Sequence, residues 1–186
     1  MDFNMYVPTK ILFGAGTLNE LGKQQLPGKK AVIIISNGKS TRANGYLSRT
    51  EEQLAQAGVT TSVFDKIQPN PLKETVMEGA AFVKAQGADF IVALGGGVID
   101  SAKAIAVMAA NPGDLWDYIA SGTGKGQPIK NKPLPIVAIS TTAGTGSEAD
   151  AGCVITNPET NEKVGLKTPY LFPIPVSYTH LTLPTT

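Results

Sequence analysis

The sequence predicts an α/β domain with a mostly parallel sheet and helices on both faces. Apolar runs alternate along the chain with segments of helical periodicity, which is typical of parallel strands joined by helices. The strongest runs are continuous rather than alternating, as expected for strands buried on both faces. We expect residues 1–172 to form this domain and residues 173–186 to be a tail outside it.

The strands and helices follow one another in regular order. Apolar or β-branched runs predict strands at 30–36, 60–65, 89–97 and 134–141, of which the second is the weakest. Helical spacing predicts helices at 47–57, 72–86 and 99–110. Pro71 is expected in the first turn of the second helix, and Gly58 and Gly87 just past two helix ends.

Charge and composition exclude several function classes. Sixteen basic and fifteen acidic residues leave a formal net charge of +1, so no global field favours nucleic acid or a membrane surface. No apolar run is long enough to span a bilayer, and the N-terminus lacks the features of an export signal. The single cysteine, Cys153, is interpreted as a small buried residue and suits a reducing compartment. We expect a cytoplasmic location.

A glycine turn follows the strand at 89–94. Gly95, Gly96 and Gly97 stand at its carboxyl end, where ligands bind in α/β sheets, and a helix follows them. Glycines and unpaired N–H groups at a helix start form a site for a phosphate group. The alternative is a tight turn without a ligand, with Asp100 favouring the helix start by its charge and Lys103 solvated. The spacing of these glycines is not that of the dinucleotide motif G-x-G-x-x-G. A separate stretch, "SNGKST" at 36–41, is not a P-loop, because Ile33 stands where that motif needs its first glycine.

A second loop, "STTAGTGSEAD" at 140–150, follows the strand at 134–141 and should emerge at the same sheet edge. Hydroxyls interleaved with glycines can surround a ligand with side-chain and backbone donors. The alternative is a serine- and threonine-rich loop that binds nothing.

Several motifs taken together resemble the iron-containing, metal-dependent alcohol dehydrogenase family (group III). They are "ILFGAGTLNELG", "PNP", "ALGGG" with "IDSAKAIAV", "NPGDLWDY" and "PIVAISTTAGTGSEAD", in that order. The resemblance implies a Rossmann-like N-terminal domain that binds NAD or NADP. It also implies an all-helical C-terminal domain that holds the metal and is missing from this chain.

The resemblance assigns cofactor-binding roles by position. Gly95, Gly96 and Gly97 would bind the pyrophosphate, and Asp100 would lie near the nicotinamide. The hydroxyl-rich loop would line the cofactor through Thr141, Thr142, Thr145 and Ser147. Lys163 would reach the cofactor's ribose; the alternative is an exposed lysine of a hairpin.

The choice between NAD and NADP depends on the residues after the first strong strand. NAD-preferring members of the family carry an aspartate there, whereas this chain has Asn37, Gly38 and Lys39, with Ser40 next. Loss of the carboxylate beside a lysine favours a 2′-phosphate, so we expect NADP over NAD. The alternative is that Asn37, Gly38 and Lys39 form only a turn.

The resemblance implies catalysis that this chain alone cannot complete. The family transfers a hydride between NAD(P) and a small alcohol or aldehyde bound to Fe²⁺ or Zn²⁺, which is held by an aspartate and three histidines. The only histidine here, His180, lies in the tail, so we predict no metal ligands, no retained catalytic residue and no activity. The tail resembles adapter-derived ends of translated metagenome fragments and is expected not to be native. The full-length enzyme is expected to be a homodimer.

Two other functions remain open. The chain could be a nucleotide-binding module without catalysis. It could also be a relative of glycerol dehydrogenase or dehydroquinate synthase, which share a similar glycine turn but which "TTAGTGSE" disfavours.

The glycine turn is one residue shorter than the family pattern, which has a serine after the third glycine. A deletion within a helix would rotate the rest of the helix by about 100°. We predict that the turn absorbs the deletion and that the helix keeps one apolar stripe, made by Ile99, Ala102, Ile105, Ala106 and Ala109.

Overall fold

A six-stranded, fully parallel sheet forms the centre of the fold. The computed structural model describes residues 6–142 and 144–178, with the backbone alone for 175–178. The strands are β1 (Lys10–Leu12), β2 (Lys30–Ser36), β3 (Thr60–Ile67), β4 (Phe90–Leu94), β5 (Ile136–Ser140), β6 (Gly152–Asn157), β7 (Glu162–Lys167) and β8 (Pro175–Tyr178). The sheet order is β1-β8-β5-β4-β2-β3, while β6 and β7 form a separate antiparallel hairpin.

Helices cover both faces of the sheet. They are α1 (Ser40–Ala43), α2 (Tyr46–Gln56), α3 (Lys73–Gln86), α4 (Ile99–Ala110) and α5 (Leu115–Tyr118), and a 3-10 helix spans Thr17–Lys23. Alternate residues of β2 and β4 enter two different apolar clusters, one shared with α3 and α4, the other with α2 and the 3-10 helix. None of the helices among the described residues is long and apolar enough to cross a membrane.

The fold prediction is confirmed. All five residues of β4 and of β5 are buried, as the continuous apolar runs indicated. The predicted helix at 99–110 has the bounds of α4, and the other two differ from α2 and α3 by one residue. Gly58 and Gly87 follow helix ends with φ of 71° and 60°, the left-handed conformation expected there.

The expectation for Pro71 is wrong. α3 begins at Lys73 with an extended Leu72 as its N-cap, so Pro71 lies before the helix. Its carbonyl accepts a hydrogen bond from the Thr156 backbone N–H at 2.8 Å. This contact joins residues that are far apart in the sequence, and a local proline preference does not reveal it.

The sheet extends past residue 172. Strand β8 pairs in parallel with β1 on one side and β5 on the other, within the stretch assigned to the tail. A strand of four residues that begins with a proline is too short to show an apolar pattern in the sequence. Residues 179–186, including His180, lie outside the described residues, and their assignment as foreign sequence stays a prediction.

The apolar stripe of α4 is confirmed. Ile99, Ala102, Ile105 and Ala106 are fully buried, and Ala109 packs partly buried against the same cluster. Nine of the twelve residues of α4 are buried, so the stripe lies in the core together with most of the helix. That the glycine turn absorbs a deletion stays a prediction.

Candidate nucleotide-binding crevice

The glycine turn connects β4 directly to α4 at the carboxyl edge of the sheet. Gly95 has a φ of 116°, which favours glycine, and its N–H donates to the Ile139 carbonyl of β5 at 2.8 Å. A single 3-10 turn, Gly96–Val98, then leads into α4. The start of α4 is thus presented beside the ends of β4 and β5, where its first N–H groups can face an anion.

The hydroxyl-rich loop packs directly on this turn. A Cβ added at Gly96 would overlap the Thr142 hydroxyl oxygen, so the two segments are in direct contact and a larger residue would have to displace this side chain. The Ser140 hydroxyl donates to the Thr142 carbonyl at 3.1 Å, which fixes the first residues of the loop. The structure therefore brings together the two segments that the sequence singled out.

Open space lies over both segments. A Cβ added at Gly97, Gly144 or Gly146 would meet no atom within 4 Å. Thr142 and Thr145 are exposed and Thr141 is half-buried, whereas Ser147 is buried and its N–H donates to the Thr145 hydroxyl at 3.3 Å. The surface over the glycine turn and the hydroxyl-rich loop is therefore open, and its binding of a pyrophosphate group stays a prediction.

The residues expected at the adenosine end follow β2. Asn37, Gly38 and Lys39 are exposed, and the Asn37 N–H donates to the Ile67 carbonyl of β3 at 2.8 Å. They therefore lie at the same sheet edge as the glycine turn, since β2 pairs with β4. Their contact with a cofactor stays a prediction.

Asp100 and Lys103 both contact the backbone of β6. One Asp100 oxygen accepts the Val154 N–H at 3.0 Å. The Lys103 ammonium donates to the Asp150 carbonyl at 2.9 Å, the Asp150 carboxylate at 2.5 Å and the Gly152 carbonyl at 2.8 Å. The interpretation of Lys103 as solvated is wrong, since the side chain is fully buried. Its oxygen acceptors belong to residues 47 to 49 positions later in the chain.

Lys163 is exposed on β7, and its ammonium lies 3.4 Å from the side-chain oxygen of Asn70. Asn70 has a φ of 60° and is not among the site residues that the sequence predicts. Its position between two prolines after β3 is the available signal, since asparagine tolerates left-handed backbone better than most residues. The pair places Lys163 near the end of β3.

Glu162, next to Lys163, anchors the hairpin to the loop after α5. Its carboxylate accepts hydrogen bonds from the Thr123 hydroxyl and N–H at 2.5 and 2.7 Å, the Thr160 hydroxyl at 2.7 Å and the Trp116 indole at 3.0 Å. These donors, the Thr123 hydroxyl first, lower the pKa of Glu162 from 4.5 to about 2. Glu162 therefore stays ionised at neutral pH.

A metal centre needs other side chains than those of the glycine turn and the hydroxyl-rich loop. Within residues 6–142 and 144–178, no three His, Cys, Asp or Glu side chains are grouped so that they could hold a metal ion. These residues therefore do not offer the ligand set of the metal that the resemblance implies.

Comparison with known proteins decides the family. A family model described as iron-containing alcohol dehydrogenase matches residues 8–176. This chain belongs to the iron-containing alcohol dehydrogenase family. The match runs through the glycine turn, the hydroxyl-rich loop and the hairpin.

Individual relatives agree with this family. The chain is 42% identical over 173 residues to a probable NADH-dependent butanol dehydrogenase 1 of Bacillus subtilis, covering 92% of this chain and 43% of the relative. It is 35% identical over 176 residues to an NADPH-dependent aldehyde reductase of Escherichia coli, covering 93% of this chain and 44% of that protein.

A solved structure agrees as well. NADH-dependent butanol dehydrogenase A of Thermotoga maritima superposes with a TM-score of 0.86 at 32% identity, over 96% of this chain and 44% of that one. The chain thus spans less than half the length of the proteins it matches.

Proposed function

We propose that this chain is the cofactor-binding part of an oxidoreductase that transfers a hydride between a small alcohol or aldehyde and a nicotinamide dinucleotide. The observation that carries the proposal is the contact between the glycine turn and the hydroxyl-rich loop, with open space over Gly97, Gly144 and Gly146. Names of relatives support it, since they include alcohol dehydrogenases and an aldehyde reductase.

Each segment has a role in this proposal. The 3-10 turn before α4 binds the pyrophosphate through the backbone N–H groups of Gly96 and Gly97. Thr141, Thr142 and Thr145 donate from the facing loop, with Ser147 behind them. Lys163 reaches the ribose from the hairpin. When bound, the dinucleotide supplies or accepts the hydride, and this chain binds and orients it.

The cofactor proposed for this chain is NADP rather than NAD. Asn37, Gly38 and Lys39 offer no carboxylate to ribose hydroxyls, while the exposed Lys39 ammonium can pair with a 2′-phosphate. Relatives differ on this point, since one is named NADH-dependent and another NADPH-dependent. The proposal of NADP over NAD therefore rests on Asn37, Gly38 and Lys39 after β2.

Calorimetric titration of the purified chain with NADP and with NAD tests the proposal. We expect NADP to bind at least tenfold more tightly, a difference of about 1.4 kcal/mol. Gly38→Asp should reverse the order, because its Cβ would meet only the Ser36 hydroxyl at 3.5 Å and the new carboxylate repels a phosphate. Failure of both nucleotides to bind would refute the proposed function, and equal affinities would refute the NADP preference alone.

A further inference from the structure

One edge of β6 is paired with β7, and the other edge is bound by groups outside the hairpin. The Gly152 carbonyl accepts from Lys103, the Val154 N–H donates to Asp100, and the Thr156 N–H donates to Pro71. Residues 152, 154 and 156 alternate along the strand, so their backbone groups point to the same side. Two side chains of α4 thus replace part of a neighbouring strand.

Asp100 and Lys103 are suited to this task by their spacing and chemistry. They lie three residues apart on α4 and therefore on the same face of the helix. The ammonium of Lys103 has three N–H donors and three oxygen acceptors within 2.9 Å, although no part of the side chain is exposed. A buried ammonium is tolerated only when it is paired in this way.

The segments held by this contact are those of the proposed crevice. α4 begins at the glycine turn, Asp150 ends the hydroxyl-rich loop, and the hairpin carries Lys163 on β7. The contact between α4 and β6 therefore joins the three pieces that must face one ligand. Neither residue has to touch the cofactor to influence its binding.

We propose that Asp100 and Lys103 are positioning residues that hold the β6–β7 hairpin and the end of the hydroxyl-rich loop against the glycine-turn helix. Asp100 acts as a hydrogen-bond acceptor for Val154 rather than through its negative charge. The proposal rests on the proposed function for its effect on cofactor affinity, while its effect on the hairpin can be measured without any cofactor.

Cys153 supplies the readout for the hairpin. It is the only cysteine, lies on β6 between the contacted residues and is 2% exposed. Because the side chain is buried, a thiol reagent reaches it only when β6 opens. Burial also raises the pKa of the thiol to about 12, which keeps it unreactive in the closed state. The rate of Cys153 modification therefore reports the attachment of β6 to α4.

The variants are Asp100→Ala, Asp100→Asn, Lys103→Met and, as a matched control, Lys84→Met on the exposed side of α3. We expect Cys153 to react at least tenfold faster in Asp100→Ala and Lys103→Met. Asp100→Asn keeps an acceptor for Val154 and should react like the unmodified chain, as should Lys84→Met. Low urea should leave the faster rates nearly unchanged, because local opening exposes little surface compared with global unfolding.

Calorimetry on the same variants tests the effect on the cofactor. NADP affinity should fall at least fivefold in Asp100→Ala and in Lys103→Met. Lys163→Met should lower NADP affinity without changing the Cys153 rate. If Lys103→Met does not fold, the pair of Asp100 variants decides the question.

Each outcome separates the two proposals. Cys153 rates in Asp100→Ala that match the unmodified chain, or rates in Asp100→Asn that match Asp100→Ala, would overturn the positioning role. Faster Cys153 modification with unchanged NADP affinity would overturn the effect on the crevice. If the unmodified chain binds no nucleotide but the Cys153 pattern holds, the attachment stands and the proposed function fails.

Discussion

Gly96 and Gly97 are adjacent, yet the structure gives them different constraints. A methyl group at Gly96 would overlap the Thr142 hydroxyl, whereas one at Gly97 would point into open space. The first glycine is needed for packing between two protein segments. The second leaves room for whatever binds over the start of α4.

This contrast predicts different effects of two alanine substitutions. Gly97→Ala should leave the free energy of unfolding within about 0.5 kcal/mol of the unmodified chain, since surface changes are usually that small. It should nevertheless lower NADP affinity at least tenfold, because the methyl group occupies the space for the phosphate. Gly96→Ala should cost about 1–3 kcal/mol of stability from overpacking.

Urea denaturation and calorimetry on both variants measure these effects. NADP binding by Gly97→Ala as tight as that of the unmodified chain would show that the pyrophosphate does not lie over this turn.

Glu162 predicts a pH dependence of stability. Its pKa is about 2 in the folded chain and 4.5 ordinarily, so its ionised form stabilises the fold fully above about pH 4.5. That contribution is lost as the pH falls from 4.5 towards 2, because the unfolded chain takes up the proton first. Glu162→Gln should therefore be less stable at pH 7, and its deficit should shrink between pH 4.5 and 2.

Urea denaturation at pH 7, 4.5 and 3 checks this prediction, with Glu52→Gln on the exposed side of α2 as control. If Glu162→Gln lowers the free energy of unfolding equally at all three pH values, the charge of the carboxylate does not hold the hairpin to the loop after α5.

Roles of single residues could be predicted from the sequence only where the chemistry is local. The glycines of the turn and the hydroxyls of the second loop are visible as motifs, and the structure brings them together. The burial of Lys103 could not be predicted, because its acceptors at Asp150 and Gly152 follow a strand and a long loop. The contact of Asn70 with Lys163 could not be predicted for the same reason.

Gly79 lies where α3 packs closely against α4. A Cβ at Gly79 would lie 2.5 Å from Cδ1 of the fully buried Ile105. Glycine to alanine in a helix ordinarily stabilises by about 1 kcal/mol, but overpacking costs about 1–3 kcal/mol. Gly79→Ala should therefore not stabilise the chain and should destabilise it by up to about 2 kcal/mol.

Ile105→Val removes the clashing carbon and tests this explanation. The double variant should be more stable than the sum of the two single effects by about 1 kcal/mol, measured by urea denaturation as a double-mutant cycle. Additive effects would mean that the two helices adjust and that Gly79 does not set their distance.

Elements were predictable where burial leaves a pattern in the sequence. Continuous apolar runs predicted β2, β4 and β5, and helical spacing predicted α2, α3 and α4. A hairpin around Lys163 was an alternative that the sequence offered, and the structure has it as β6 and β7. The four-residue β8 was not predicted, because so short a strand leaves no such pattern. Pro71 lies before α3 rather than in its first turn, and its contact with β6 joins residues too far apart in the sequence to be predicted from local pattern.

The fold brings segments that are distant in the sequence to one edge of the sheet. The ends of β2, β4 and β5 lie at one edge of the sheet, and α4 fixes the hairpin beside them. The chain spans less than half the length of its relatives, and its described residues hold no metal-ligand group. On the basis of the segments at this edge of the sheet, we assign nucleotide binding to this chain as a proposal.

Titration of the ¹⁵N-labelled chain with NADP, followed by amide chemical shifts, tests this assignment most directly. We predict saturable shifts that are largest at Gly96, Gly97, Thr142 and Lys163, at the carboxyl edge of the sheet. A cleft at the opposite edge, lined by Lys30, Thr60, Thr61, Ser62 and Gln86, provides the internal comparison. No saturable shifts, or shifts that are largest at that opposite edge, would contradict the assignment.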